Sequence, residues 1–206
     1  MAGVQKAKRE EASRKLLEAA VMCVEEKGID SLHAREIARQ AGYSVGSVYK
    51  YYDDLDAIIM QVNSVTLARL KQAIGVAVAD KSDPLERLNA LAFAYYGFAQ
   101  ANRKLWEALF SHRLPEGRSI PDEHRQENVA LLAVIGAALL ELNPALAPEE
   151  LDARTRTCFA AVHGFVTVSV ERRFVGLTGE AFADEMTFLV EALASPQARA
   201  PALSSS

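Results

Sequence analysis

Cysteine is scarce. Cys23 and Cys158 are the two in 206 residues, which excludes a disulfide framework and a four-thiolate zinc site. Seven prolines and 11 glycines are too few for a low-complexity or collagen-like chain. No apolar run approaches the roughly 18 residues that a membrane span needs. The first residues, MAGVQKAKREEASRK, carry no apolar stretch behind their basic side chains, so they do not read as a secretory signal. A cytoplasmic protein with no membrane partner is expected. Catalytic patterns are also missing. His33, His112, His124 and His163 form no H-E-x-x-H pair, and there is neither G-x-S-x-G nor a phosphate-binding glycine loop. Cys158 and His163 are a little over one helical turn apart, but no oxyanion donor completes a site. The expectation is no enzyme, no metal and no cofactor.

Half of the residues are hydrophobic and 24% are charged, which is enough to bury a core. The net charge is −4, unevenly spread. Residues 1–52 sum to +2 and residues 53–206 to −6. A basic head on an acidic body suits a chain that meets a polyanion at one end.

The spacing predicts helices throughout and no sheet. Leu16, Leu17, Ala20, Val21, Cys23 and Val24 follow the i, i+3, i+4 rhythm, and Gly28 stops that helix. Short helices follow over 34–40 and from Ser44, a good N-cap. The run Asp53-Asp54-Leu55-Asp56 starts a fourth that reaches about Val78. Asp83-Pro84 opens a fifth, to about Ala101, with proline where its missing N–H costs nothing. Further helices are expected over 103–112, 122–142, from Pro148 to about Val175, and over 180–194. Residues 114–121 read as a loop. The division expected is a head over 10–70, a helical body over 71–195 and a disordered tail over 196–206.

Residues 28–52, GIDSLHAREIARQAGYSVGSVYKYY, are the informative stretch. Two short helices with Gly42 in a tight turn make a helix-turn-helix. Ile37, Ala38, Ala41 and Val48 supply the small apolar contact between them. Gly46 leaves the backbone at the start of the second helix bare, so that a phosphate or base can approach. The outer face presents Ser44, Val45, Ser47, Tyr49, Lys50 and Tyr51. Hydroxyls, phenols and an amine bond phosphate oxygens and base edges. The plainer reading of each is a cap, a surface aromatic or a solvated charge.

These residues resemble the tetracycline-repressor (TetR) family of bacterial regulators, whose pattern runs R-x-I-A-x-x-A-G-V-S-x-G-T-L-Y-x-x-F. Here it reads Arg35-x-Ile37-Ala38-x-x-Ala41-Gly42-Tyr43-Ser44-x-Gly46-Ser47-Val48-Tyr49-x-x-Tyr52, preceded by Ala19-Ala20 and Gly28. The match covers residues 10–60. There are departures. His33 replaces a capping Ser or Thr, Val45 a frequent Lys, and Leu55 a common Lys. Val45 in place of Lys removes a phosphate contact and offers an apolar surface to a thymine methyl.

The resemblance implies an all-α protein of about nine helices. A three-helix DNA-binding head would carry a C-terminal ligand-binding and dimerisation domain. Ser44, Val45 and Ser47 would face the major groove, and Tyr49 and Lys50 would touch the backbone or base edges. Arg35 would reach a phosphate, while Lys6, Lys8 and Arg9 would form a flexible arm that follows the adjacent groove. The partners implied are double-stranded DNA with an inverted-repeat operator, an unidentified small-molecule effector, and a second copy of the chain.

For the effector, the middle helices offer apolar and aromatic residues with interspersed polar groups, as ligand sites do. The candidates are Met60, Asn63, Phe93, Tyr96, Trp106, Phe110, Leu132 and His163, and they favour a mainly apolar ligand. Core packing is the plainer account of each. For the dimer, stripes on the last two long helices offer Phe159, Val162, Phe165, Val166, Phe182, Met186 and Leu189 to a four-helix bundle. Cys158, Ala161 and Gly164 are small enough for close helix approach. The function expected is a repressor released from DNA by its effector. The alternatives are an activator of the same fold, or a ligand-binding protein that has lost specific DNA binding.

Overall fold

A computed structural model describes residues 2–115, 117, 122–171 and 176–195. Among them are nine α-helices and no strand: α1 (Ala2–Lys27), α2 (Ala34–Ala41), α3 (Val45–Tyr51), α4 (Leu55–Val78), α5 (Pro84–Ala101), α6 (Arg103–Ser111), α7 (Asp122–Leu142), α8 (Pro148–Glu171) and α9 (Gly179–Ala194). A 3₁₀ turn, Ile29–Ser31, links α1 to α2. No helix among the described residues is long and apolar enough to cross a membrane.

The start signals act as their chemistry requires. Asp54 Oδ1 accepts from the Ala57 N–H at 2.8 Å, and Asp83 Oδ1 accepts from the Glu86 N–H at 2.8 Å. His33 precedes α2 without a side-chain cap. The first residues depart from expectation. Lys6, Lys8 and Arg9 lie in the opening turns of α1, not in a flexible arm. Those turns hold little apolar periodicity, but Lys6 sits i,i+4 from Glu10, and Lys15 and Arg14 pair with Glu11. Such pairs and good helix formers sustain an exposed helix. The described part of α8 ends at Glu171, short of Val175, and 172–175 lie outside the described residues. So do 116 and 118–121 of the expected loop and the whole tail, 196–206.

The chain folds into two compact units. The first holds 1–73 and 97–128, the second 74–96 and 129–206. This division is not a single cut near residue 70, because α6 belongs with the head. In the first unit's core, Leu16, Ala19, Ala20 and Val24 of α1 meet Ile37 and Ala38 of α2, Val48 of α3, Ile58 and Val62 of α4, and Leu105 and Ala108 of α6. The Lys104 ammonium donates to the Glu26 carbonyl, tying α6 to the end of α1.

In the second unit, α8 packs on α9. Tyr96 and Phe182 stack with ring centres 3.8 Å apart, and Phe165 lies 5.1 Å from Phe182. Gly176 passes so close to α8 that a Cβ there would lie 2.6 Å from the Val168 carbonyl oxygen. Main chain cannot yield as a side-chain end can. Gly176→Ala is therefore expected to lower stability by about 1–3 kcal/mol, as overpacking does. Calorimetric melting checks this, and an unchanged midpoint would contradict the close approach.

Candidate nucleic-acid interface

The turn between α2 and α3 rests on a glycine. Gly42 adopts φ 75° and ψ 31°, a left-handed conformation that side chains disfavour. Its N–H reaches the Arg39 carbonyl at 3.3 Å, and the Tyr43 N–H reaches that of Ala38 at 2.8 Å. The chain then enters α3 through Ser44, whose hydroxyl accepts from the Ser47 N–H at 3.3 Å and pairs with the Ser47 hydroxyl at 3.0 Å. Ser44 is thus a cap as well as a surface hydroxyl. Ile37, Ala38 and Val48 are buried between the helices, and Ala41 packs at the edge of the same core.

That packing decides which face of α3 turns outward. With Val48 buried, Val45 is 40% exposed and Tyr49 55% exposed. Gly46 and Lys50 are also exposed, and Ser47 and Tyr51 are partly so. A Cβ added at Gly46 would meet only the Ser44 hydroxyl, 3.9 Å away. No atom among the described residues requires glycine there. The Lys50 ammonium lies 5.8 Å from the centre of the Tyr51 ring, within cation–π range.

Two other groups fix α3 and its approach. The Tyr52 hydroxyl donates to the Ser13 carbonyl at 3.0 Å and lies 3.1 Å from the Ser13 hydroxyl. Burial raises the pKa of that phenol. This clamp holds the end of α3 to α1, and no sequence signal marks Ser13 for it. On α2, Arg35 is exposed. Its neighbour Arg39 is bound to Glu36 at 2.7 Å, and Lys27 holds the same carboxylate at 2.7 Å. Hydrogen bonds from Arg39 and then Lys27 pull Glu36 down to about 2. The candidates Arg35, Ser44, Val45, Gly46, Ser47, Tyr49, Lys50 and Tyr51 all fall on this helix pair or its cap, and the side chains of Arg35, Ser44, Val45, Tyr49 and Lys50 are exposed.

The candidate effector residues divide between the units. Met60, Asn63 and Trp106 are buried in the first, while Phe110 is exposed with its ring 5.5 Å from that of Trp106. Asn63 is 2% exposed, and its amide oxygen has no hydrogen-bond partner among the described residues. Phe93, Tyr96, Leu132 and His163 are half-buried in the second unit. There the Tyr95 hydroxyl lies 2.7 Å from His163 Nδ1, and Phe159 stacks on the imidazole at 5.6 Å.

Burial disfavours the imidazolium and lowers the pKa of His163 below its ordinary 6.5. The stability this contributes is fully present above pH ~6.5 and is lost as the pH falls through the lowered value. Proton NMR of the ring should find that lowered midpoint, and a value at or above 6.5 would contradict the burial.

The dimer candidates need correction. Val166, Phe182 and Met186 are buried within the single chain, so they face its own core and are closed to a partner. Phe159, Val162, Phe165 and Leu189 remain partly exposed. Periodicity marks a buried stripe without saying whose core it serves. Phe188, which was not among the candidates, is 66% exposed on α9, and Ala160 and Gly164 are exposed on α8.

Residues 16–62 match the profile of bacterial regulatory proteins of the tetR family, and residues 88–193, more than half of the chain, match the tetracyclin repressor-like C-terminal domain. The chain is 25% identical over 146 residues to the HTH-type transcriptional regulator BetI of Brucella abortus, covering 69% of each. A Rhodococcus sp. RHA1 protein of unknown function superposes with a TM-score of 0.74 at 25% identity, over 89% of this chain and 96% of that one. A TetR-like transcriptional regulator from the same organism superposes at 0.64 with 18% identity, over 90% and 97%, which speaks for the fold alone.

Proposed function

The chain belongs to the TetR family of DNA-binding transcription regulators, and from that premise we propose that it is a cytoplasmic, homodimeric repressor that leaves an inverted-repeat operator when a small, mainly apolar effector binds. The observation that carries the DNA half is α3 itself. Its inner residue is buried, its outer face is Val45, Tyr49 and Lys50, and its first turn is bare at Gly46. In the major groove, Val45 would lie against a thymine methyl, and Tyr49 and Lys50 would reach backbone or base edges. Two such helices, related by a two-fold axis, would read half-sites about 34 Å apart or a multiple of it.

Tyr49→Ala and Lys50→Ala test this. Each removes an exposed group and should leave the melting temperature unchanged. Each should weaken operator binding by about tenfold, the lower range for a lost base or phosphate contact. Lys50→Ala should also flatten the dependence of log affinity on log salt by about one per half-site. Wild-type affinity in both variants would remove α3 as the reading helix.

For the effector half, the support is polar groups held among apolar ones. An unpaired buried amide oxygen such as that of Asn63 costs about 1–3 kcal/mol, and a ligand donor would relieve it. Tyr95–His163 is a second polar pair set against an aromatic ring. Release follows only if the effector prefers the geometry that does not bind DNA, since equal affinity for both states shifts nothing. The domain served by α8 and α9 is proposed as the dimer interface, presenting Phe188 with Phe159, Val162, Phe165 and Leu189.

A further inference from the structure

Seven residues make α3, and Val48 is the one among them that is buried. So short a helix has little of its own to fix how it lies. Its start is tied to α2 through the Gly42 turn, where the Tyr43 N–H reaches the Ala38 carbonyl at 2.8 Å. Its end is tied to α1 through Tyr52. The Tyr52 N–H closes the last turn on the Val48 carbonyl at 3.0 Å, so whatever holds Tyr52 holds the turn that carries Tyr49 and Lys50. The phenol commits its one proton to the Ser13 carbonyl at 3.0 Å, which leaves the Ser13 hydroxyl, 3.1 Å away, to donate to the phenol oxygen. Burial raises the pKa of the phenol, so the donor proton is kept. The ring also packs against the core of the head, as does that of Tyr51. Apolar contacts of that kind hold a helix near a surface without direction, whereas hydrogen bonds fix a point.

We propose that Tyr52 is a positioning residue for sequence readout: its hydroxyl, held by Ser13, fixes the tilt of α3 and so the aim of its outer side chains at base edges, without itself touching DNA. The family pattern ends on phenylalanine where this chain has Tyr52, so packing needs only the ring, and the hydroxyl is an addition of this chain. Base readout is what such an addition serves. A hydrogen bond to a base edge weakens steeply once its angle falls below about 120°, whereas a lysine meets a phosphate as a point charge and tolerates a tilt. With the clamp cut, α3 is still pinned at Val48 and at its start, and its last turn swings about that pivot. Discrimination is lost and backbone attraction is kept. The inference rests on the DNA-binding reading above.

The test compares wild type with Tyr52→Phe, Ser13→Ala and the double variant. Each protein is titrated with two duplexes at several salt concentrations. One is the inverted repeat recovered by selection from random DNA, and the other is a scrambled duplex of equal length. Phenylalanine keeps the packed ring and alanine suits a helix, so folding is not at risk, and melting curves recorded alongside give the folded fraction. Tyr52→Phe should weaken the selected duplex roughly fivefold per half-site, the weight of one ordinary hydrogen bond. It should leave the scrambled duplex and the slope of log affinity on log salt at their wild-type values. Ser13→Ala, which spares the carbonyl acceptor, should lose less. The double variant should match Tyr52→Phe, because the serine hydroxyl then has no phenol to donate to, and two partners in one contact do not add. Wild-type affinity of Tyr52→Phe for the selected duplex would overturn the inference while leaving the reading by α3 intact. An equal loss on both duplexes would also overturn it, since that is a merely structural role. So would full additivity of the two substitutions. Failure of folded wild-type protein to enrich any repeat would instead bring down the DNA-binding reading, and this inference with it.

Discussion

Gly46→Ala should make the protein slightly more stable and a much poorer DNA binder. The first half follows from helix physics. Glycine costs at most about 1 kcal/mol relative to alanine in a helix, the full amount applying to its interior, and the new methyl would meet nothing closer than the Ser44 hydroxyl at 3.9 Å. For a chain of this size that gain is a rise of at most about 2–4 °C in the melting midpoint. The second half follows from where the methyl points. If the first turn of α3 lies against DNA, the added carbon must push the helix back from the groove. An overlap of that kind costs about 1–3 kcal/mol, or a factor of about ten or more in affinity. Stability and binding would then move in opposite directions, which unfolding cannot imitate. Tight binding by Gly46→Ala would show that the bare turn faces solvent and not a partner.

The second large effect is expected far from the DNA face. Leu105→Ala should cost about 2–5 kcal/mol, the usual range for a fully buried leucine. Against a total of about 5–15 kcal/mol, that is a large share. Leu105 lies on α6, yet it is buried with Leu16, Ile37, Val48 and Ile58 in the core of the head. The variant should show an earlier denaturation midpoint and weakened DNA binding together. Phe110→Ala, on the same helix but exposed, should change stability far less. Equal stability of Leu105→Ala and wild type would mean that α6 is not part of that core.

The same helix shows where sequence reasoning stops. Local signals were legible because their chemistry is local. Asp54 and Asp83 cap, Gly42 turns the chain, and Ile37, Ala38 and Val48 pack as the motif requires. The membership of α6 was not legible, because Leu105 and Ala108 contact residues some 50 to 90 positions earlier in the chain, and periodicity carries no address. Val166, Phe182 and Met186 failed for a related reason: an apolar stripe looks the same whether it faces its own core or a partner's. The opening turns of α1 were misread because a polar, charged stretch can be a tail or a solvated helix. The i,i+4 placement of Lys6 and Glu10 was the signal that could have separated them. The clamp from Tyr52 to Ser13 needed two residues 39 apart to meet, which no spacing rule foretells.

The central claim is that α3 reads DNA sequence from a symmetric dimer. Its most direct test is selection of bound sequences from random duplex DNA at about 150 mM salt, where nonspecific attraction is screened. The account predicts enrichment of an inverted repeat whose half-sites lie about one helical turn, or a multiple, apart. Folded, dimeric protein that enriches no sequence would contradict it.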